Sequence, residues 1–232
     1  MTRKWVKDEL RKNPLQNMVF GAVDYYKGNK SNISVGYVIL LVIGLFVGMA
    51  VRNRIQETNQ ASKIFTFAQN DFDRFNYKEA INKLNDIEKK FAHTKIMPHA
   101  LYFKGLSYHK QGQLDASMNS LAKCITEHPK SKIISLARLS LAAVHEEIGN
   151  TEAALSEYNL IDDNNYLKPE ALAGMARIYE STGKTEEALN VYKRMQSHYI
   201  NTFWGNFAEN RLIAFGVKPV ESDTVIEDIR YE

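Results

Sequence analysis

A turn-like segment that occurs four times constrains the fold of this chain more than any other feature. The copies open at residues 75, 112, 149 and 183, so they recur along the chain at nearly even spacing. They read Phe75-Asn76-Tyr77-Lys78-Glu79-Ala80, Gly112-Gln113-Leu114-Asp115-Ala116-Ser117, Gly149-Asn150-Thr151-Glu152-Ala153-Ala154 and Gly183-Lys184-Thr185-Glu186-Glu187-Ala188. A repeat of this kind is typical of stacked supersecondary units, each of which buries its apolar face against its neighbours.

The residue types at three positions of the segment explain what each unit is. The first position is glycine in three of the copies and Phe75 in the first copy. Glycine accepts the positive φ with which many helices end. Five places on is a small residue, which lets two helices cross closely: Ala80, Ser117, Ala154 and Ala188. Four further on is a large apolar residue on the same helix face: Leu84, Leu121, Tyr158 and Tyr192. Each unit is therefore predicted to be a helical hairpin.

The spacing of the copies, together with this turn, resembles the tetratricopeptide repeat (TPR), whose period is about 34 residues. The second copy adds Gly105 and Tyr108 before its turn and Pro129 after its second helix. Beyond the fourth copy, Trp204, Phe207, Ala208 and Arg211 repeat the spacing of a first helix, and no partner helix follows. The sequence thus predicts an all-α TPR solenoid over 61–215, with four hairpins and a C-terminal capping helix.

A second feature is an apolar run near the N-terminus. No charged residue interrupts Val35–Val51, and a helix needs roughly 17–25 such residues to cross a bilayer. We expect a transmembrane helix at 33–51, between a basic head at 1–32 and a linker at 52–60. A buried core helix is one alternative, and a signal peptide cleaved near Gly48-Met49-Ala50 is another, although more than thirty residues precede the run.

The flanks of the apolar run predict its orientation. Seven Lys and Arg residues precede the run and three follow it closely, which favours a cytoplasmic head and an extracytoplasmic solenoid on a single-pass plasma (inner) membrane protein. Gly44 and Gly48 form a GxxxG pair that can bring two helices together and give a homo-oligomer. The head carries an amphipathic pattern from Leu15 to Val23, and the tail at 216–232 is acidic and expected to be disordered.

Catalytic patterns are lacking. His145-Glu146-Glu147-Ile148-Gly149 begins like a zinc-protease motif, but glycine stands where the second histidine ligand is required. Cys124 is the single cysteine and falls where the second helix of a repeat needs a small packing residue. A net charge of +3 gives no argument for a nucleic-acid partner. We therefore expect no enzyme, no cofactor and no metal site.

The binding residues of such a solenoid lie on the first helix of each hairpin, which lines the concave face. Their non-packing positions, read in register, are Phe65, Gln69, Phe72 and Asp73, then Tyr102, Leu106, His109 and Lys110, then Leu136, Leu139, Ala143, Glu146 and Glu147, then Arg177 and Glu180. This mixture of apolar and charged groups suits a helix or extended segment of a protein partner. Alternatively, Phe65, Phe72 and Leu139 belong to the core, if the register is off by one residue.

A basic head, one apolar span and a four-hairpin TPR domain with a capping helix resemble the YfgM-like ancillary subunits of the bacterial SecYEG translocon. The resemblance rests on layout and generic repeat residues, and it implies protein partners such as a translocon, a chaperone or newly exported client segments, with the bilayer holding the span. Two functions follow. The chain is either an adaptor in protein export or envelope quality control, or a permanent accessory subunit of a larger membrane complex.

Overall fold

The computed structural model of the chain describes residues 21, 23–25, 27–28 and 30–217. The predicted amphipathic segment of the head lies largely outside the described residues, as does the acidic tail from residue 218 onward. The chain divides into two compact units, Met1–Gln56 and Glu57–Glu232.

The first described helix, α1, runs from Lys30 to Asp73 and includes the apolar run of the first unit. Among the described residues, no helix is both long enough and apolar enough to pass through a membrane. The uncharged run Val35–Val51 is at the lower limit of length for a span, and α1 continues past it into polar sequence. The prediction of a transmembrane helix at 33–51 is therefore wrong, and so are the plasma-membrane localisation and the bilayer contact that depend on it.

Two other predictions concern α1. Nothing described in the structure lies within 4 Å of a Cβ added at Gly44 or Gly48, so the GxxxG pair packs against no other part of the described chain. Residues 52–60, expected as a linker, are helical and belong to α1. The side chains from Leu40 to Val51 include many large apolar groups, and those described are exposed.

The second unit is a series of antiparallel helices. After α1 come α2 (Tyr77–Lys90), α3 (Met97–Lys110), α4 (Leu114–Glu127), α5 (Ile134–Glu147), α6 (Thr151–Asn159), α7 (Lys168–Ser181), α8 (Thr185–His198) and α9 (Phe203–Ala214). From α2 onward, each helix packs on the next, and α5 also contacts α3 and α7. The first helices of successive hairpins therefore lie side by side, as a solenoid requires.

The four aligned turn residues all adopt the left-handed conformation. Their φ angles are +63° at Phe75, +72° at Gly112, +78° at Gly149 and +73° at Gly183. At the second turn, the Gly112 N–H donates to the carbonyl of His109 at 2.9 Å, and the Gln113 N–H donates to that of Tyr108 at 2.9 Å. The other three turns repeat both bonds, which satisfy carbonyls left free at the helix end. The predicted hairpin turns are confirmed.

The packing positions of the repeat form the core. The small residues five places after each turn are fully buried (Ala80, Ser117, Ala154 and Ala188), and so, within 2% exposure, are the large ones four places later (Leu84, Leu121, Tyr158 and Tyr192). Cys124 is also buried, and its thiol donates to the carbonyl of Pro98 at 3.2 Å. Burial raises the pKa of the Cys124 thiol to about 11, as expected for a packing residue.

The last described helix, α9, packs against the fourth hairpin. Ala208 and Leu212 of α9 are buried in one cluster with Ala188, Tyr192 and Met195 of α8. In the described chain, α9 is followed only by a turn at Gly216, whose φ is +74°. The four hairpins and the capping helix are as the repeats predict, and the corrected fold class is an all-α TPR-like solenoid without a transmembrane helix.

Candidate protein-binding groove

A groove of about 320 Å³ lies across the first helices of the third and fourth hairpins and the capping helix. We call it the α5–α7–α9 groove. Its lining residues are Leu139, Ala143, Tyr158, Glu170, Ala173, Arg177, Phe203, Trp204 and Phe207. Most of these side chains are apolar, and two are charged. An apolar floor with a few polar groups is the usual character of a binding site.

Three aromatic rings of the capping helix form one end of the groove. The ring centroids of Phe203 and Trp204 are 5.2 Å apart, and those of Trp204 and Phe207 are 6.0 Å apart, both edge to face. The Thr202 hydroxyl caps α9 by accepting a hydrogen bond from the Gly205 N–H at 3.2 Å. Phe203 follows this cap and remains 73% exposed. A large exposed ring on a fixed helix end is a typical anchor for a partner.

An ion pair fixes the wall between the third and fourth hairpins. The Arg177 guanidinium donates to both carboxylate oxygens of Glu146, at 2.6 and 2.8 Å, and the Tyr158 hydroxyl donates to the same carboxylate at 3.1 Å. The hydrogen bonds to Glu146 raise the pKa of Arg177, and burial raises the pKa of Tyr158. Both groups therefore keep their protons over the physiological pH range.

The same arrangement recurs one repeat later. Glu180 accepts hydrogen bonds from the Arg211 guanidinium at 3.2 and 2.5 Å and from the Tyr192 hydroxyl at 2.8 Å. Burial raises the pKa of Glu180, but the hydrogen bonds from Arg211 and Tyr192 outweigh it and leave the pKa lowered. Burial and the bond to Glu180 raise the pKa of Tyr192 to about 12. Each carboxylate therefore joins both helices of its hairpin to the next first helix.

The first two hairpins have other residues at the equivalent positions. The glutamate position lies three places before the turn residue, and the tyrosine position lies nine places after it. The first hairpin has Phe72 and Leu84 at these two positions, and the second has His109 and Leu121. The Phe72 ring lies edge to face with Phe103, with centroids 5.6 Å apart. His109 Nε2 lies 2.6 Å from the Glu147 carboxylate. The contacts between successive first helices thus change from aromatic to ionic along the array.

The predicted binding residues fall into three groups. Phe65 is buried, with its ring against Phe103 at 5.3 Å between centroids, so it belongs to the core. Ala143, Leu139 and Arg177 line the groove, and their contact with a partner stays a prediction. The remaining predicted residues are half-buried or exposed on first helices and are not part of this lining, although Glu146 bonds two residues that are: Gln69, Phe72, Asp73, Tyr102, Leu106, His109, Lys110, Leu136, Glu146, Glu147 and Glu180.

The sequence prediction missed the part of the groove formed by the capping helix. The repeat spacing of Trp204 and Phe207 predicts only a capping helix, and it does not single out Phe203. Glu170 and Ala173 of α7 were also missed. The available signal was the aromatic triplet itself, since three exposed or half-buried rings on a terminal helix exceed what capping requires.

A larger cavity of about 430 Å³ lies on the loop side of the array, between the segments that link successive hairpins. Its lining is polar and charged except for two prolines: Thr94, Lys95, Pro98, Glu127, His128, Pro129, Lys130 and Ser131. The lining of this cavity has no Phe, Tyr or Trp that could anchor a partner. The α5–α7–α9 groove is therefore the better candidate for a binding site, although its volume is smaller.

The stacked hairpins and the groove across their first helices define a helical-repeat protein of the protein-binding class. The family model described as "Tetratricopeptide repeat-like domain" matches residues 24–200, and the chain belongs to that family. A comparison with curated proteins found no match.

Solved structures of low identity share the fold. A tetratricopeptide repeat protein from Parabacteroides merdae is 18% identical, with a TM-score of 0.57, over 65% of this chain and 58% of that one. The crystal structure of MamA is likewise 18% identical, with a TM-score of 0.51, over 67% of this chain and 82% of MamA. This chain therefore matches little more than half of the Parabacteroides protein.

Proposed function

We propose that the chain is a non-enzymatic scaffold whose α5–α7–α9 groove binds a segment of another protein. The observation that carries the proposal is the exposed aromatic end of the groove, formed by Phe203, Trp204 and Phe207 beside an apolar floor. The family assignment supports protein binding, and partner segments dock in such grooves through a few apolar anchors.

As partners we propose client segments or a chaperone, the classes that the resemblance to YfgM-like subunits implies. Exported proteins are one source of such client segments. The resemblance concerns generic repeat residues, so it assigns no individual residue a role. The groove supports this partner class because an extended or helical segment can lay several side chains across three parallel helices.

The test is co-purification with the tagged full-length chain from its native cells. We expect Phe203→Ala, which removes the exposed anchor, and Ala143→Gln, which fills the floor with an uncharged side chain, to reduce partner recovery at least fivefold. Ala92→Gln makes the same change at an exposed alanine in the linker between α2 and α3, and should leave recovery unchanged. Equal recovery from all variants would refute the groove as the binding site.

A second candidate function is that of a permanent subunit of a larger protein assembly. It is favoured by the large apolar side chains exposed between Leu40 and Val51 in the first unit, since an exposed patch of this kind marks an interaction surface. Stoichiometric recovery of one complex that survives both groove variants would support the subunit. Substoichiometric recovery that both groove variants abolish would support the adaptor.

A further inference from the structure

The charges of the α5–α7–α9 groove are not balanced. Two ionised side chains line it, Arg177 of α7 and Glu170 of the same helix. Arg177 is committed to Glu146 through two hydrogen bonds, at 2.6 and 2.8 Å. Glu170 is exposed, and within the described part of the chain no cation pairs with it. One carboxylate therefore faces the groove without a partner.

Two arginines on the helices that form the groove are paired with carboxylates. Arg138 of α5 bonds Glu157 of α6 at 2.6 Å, and Arg211 of α9 bonds Glu180 of α7 at 2.5 Å. Burial raises the pKa of Tyr158 most, the charge and hydrogen bond of Glu146 follow, and the negative charge of Glu170 makes the smallest contribution in the same direction. Of the two charged side chains that line the groove, Glu170 is thus the one without an ion-pair partner in the described chain.

This inference rests on the proposed function and concerns the chemistry of the ligand. We propose that the groove selects protein segments in which a lysine or arginine lies close to an aromatic or aliphatic anchor, with the cation placed against Glu170 and the anchor against Phe203 and Trp204. The groove would thereby bind such basic segments in preference to purely apolar segments and to acidic segments.

Two physical effects support a cation at this place. A carboxylate at the edge of an apolar groove attracts a cation more strongly than one in open solvent, because the local dielectric constant is lower. An aromatic ring of the same groove adds attraction wherever its face contacts the cation. Complementary charge at an interface chiefly decides which partner binds, and the apolar contacts supply the affinity.

The experiment is a selection from a random dodecapeptide library displayed on phage, against the immobilised full-length chain. Wild type should enrich sequences that combine an aromatic or aliphatic residue with Lys or Arg within about four positions. Glu170→Lys should lose that basic preference, or replace it with an acidic one, and still enrich apolar residues. Glu170→Gln, which leaves the side-chain size nearly unchanged, should show no charge preference. Thermal unfolding of each variant confirms that it is folded.

The outcomes separate this inference from the proposed function. An equal basic preference in wild type and in both Glu170 variants would overturn the role of Glu170, and so would apolar enrichment without any charge preference in wild type. In both of those cases the groove would still bind peptides. Loss of all enrichment with Phe203→Ala supports the groove itself. Enrichment unaffected by Phe203→Ala, or no enrichment with wild type, would overturn the proposed function and this inference with it.

Discussion

Arg177 and Glu146 are joined by two parallel hydrogen bonds, at 2.6 and 2.8 Å, across the boundary between the third and fourth hairpins. The same pairing joins Arg211 to Glu180 across the next boundary. Solenoids depend on the interfaces between neighbouring units for much of their stability. These bidentate pairs are therefore expected to couple the second half of the array.

A double-mutant cycle measures this coupling. With Glu146→Ala, Arg177→Ala and the double variant, urea unfolding should give a coupling free energy of about 1 kcal/mol, a modest value because the Arg177 side chain is 59% exposed. Asp86→Ala with Lys90→Ala is the control, a single 3.4 Å contact within α2, and should couple by less than about 0.5 kcal/mol. Equal coupling in the two cycles would contradict a special role for the bidentate pair.

Phe75 is held in a conformation that suits glycine. Its φ of +63° places a non-glycine residue where the other three hairpin turns have glycine, and its ring is 77% exposed. Phe75→Gly should raise the free energy of unfolding by about 1 kcal/mol, since the steric cost of the left-handed conformation disappears. The opposite kind of change, which adds a Cβ at an equivalent turn in Gly112→Ala, should lower the free energy of unfolding by a similar amount. The Phe75 ring also lies edge to face with that of Tyr77, with centroids 6.3 Å apart. A large loss of stability in Phe75→Gly would show instead that this ring contact dominates.

Glu88 binds two lysines, Lys104 and Lys123, each at 2.6 Å. Burial raises the pKa of Glu88, but the two hydrogen bonds outweigh it and leave the pKa lowered. A carboxyl group whose pKa is lower in the folded state stabilises the fold above its unfolded pKa of about 4.3, and that contribution is lost as the pH falls through the folded pKa.

Chemical unfolding of Glu88→Gln as a function of pH tests this. At pH 7 the variant should be less stable than wild type by about 1–2 kcal/mol, and the difference should shrink below about pH 4. Glu152→Gln, at an exposed position of α6, should show less than half that effect. A difference that does not change between pH 7 and pH 3 would mean that packing, and not charge, is responsible.

Cys124 should be unreactive in the folded chain. It is completely buried, and burial raises the pKa of its thiol to about 11, so almost no thiolate exists at pH 8. Labelling with a maleimide at pH 8 should follow the rate of unfolding. A new cysteine two residues along the same helix, in Thr126→Cys, is exposed and should label at least a hundredfold faster. Rapid labelling of Cys124 in wild type would contradict its packing role.

The hairpins could be predicted from the sequence because their determinants are local. A left-handed turn at Gly112, the small side chain of Ser117 and the apolar side chain of Leu121 are specified within one short segment and repeated along the chain. The capping helix followed from the same spacing. The prediction of a transmembrane helix was wrong, because it rested on a single uncharged run, Val35–Val51, whose length is at the lower limit for a membrane span.

The groove was only partly predictable because it is assembled from helices far apart in the chain. Counting along the first helices indicates Leu139 and Arg177, but Glu170 and Phe203 come to line one groove only when α5, α7 and α9 are brought together. Phe65 shows the opposite error. A helical count placed it on the concave face, whereas its contacts with His99 and Phe103 of the next hairpin bury it.

Site-specific photo-crosslinking in native cells tests the central claim most directly. A benzophenone amino acid at position 203 of the full-length chain, in the exposed aromatic end of the groove, should give a discrete protein adduct. The same amino acid at position 193, exposed on the second helix α8, should not give that adduct, and Ala143→Gln should abolish the adduct at position 203. The same adduct from positions 203 and 193, or one unaffected by Ala143→Gln, would contradict binding in the α5–α7–α9 groove.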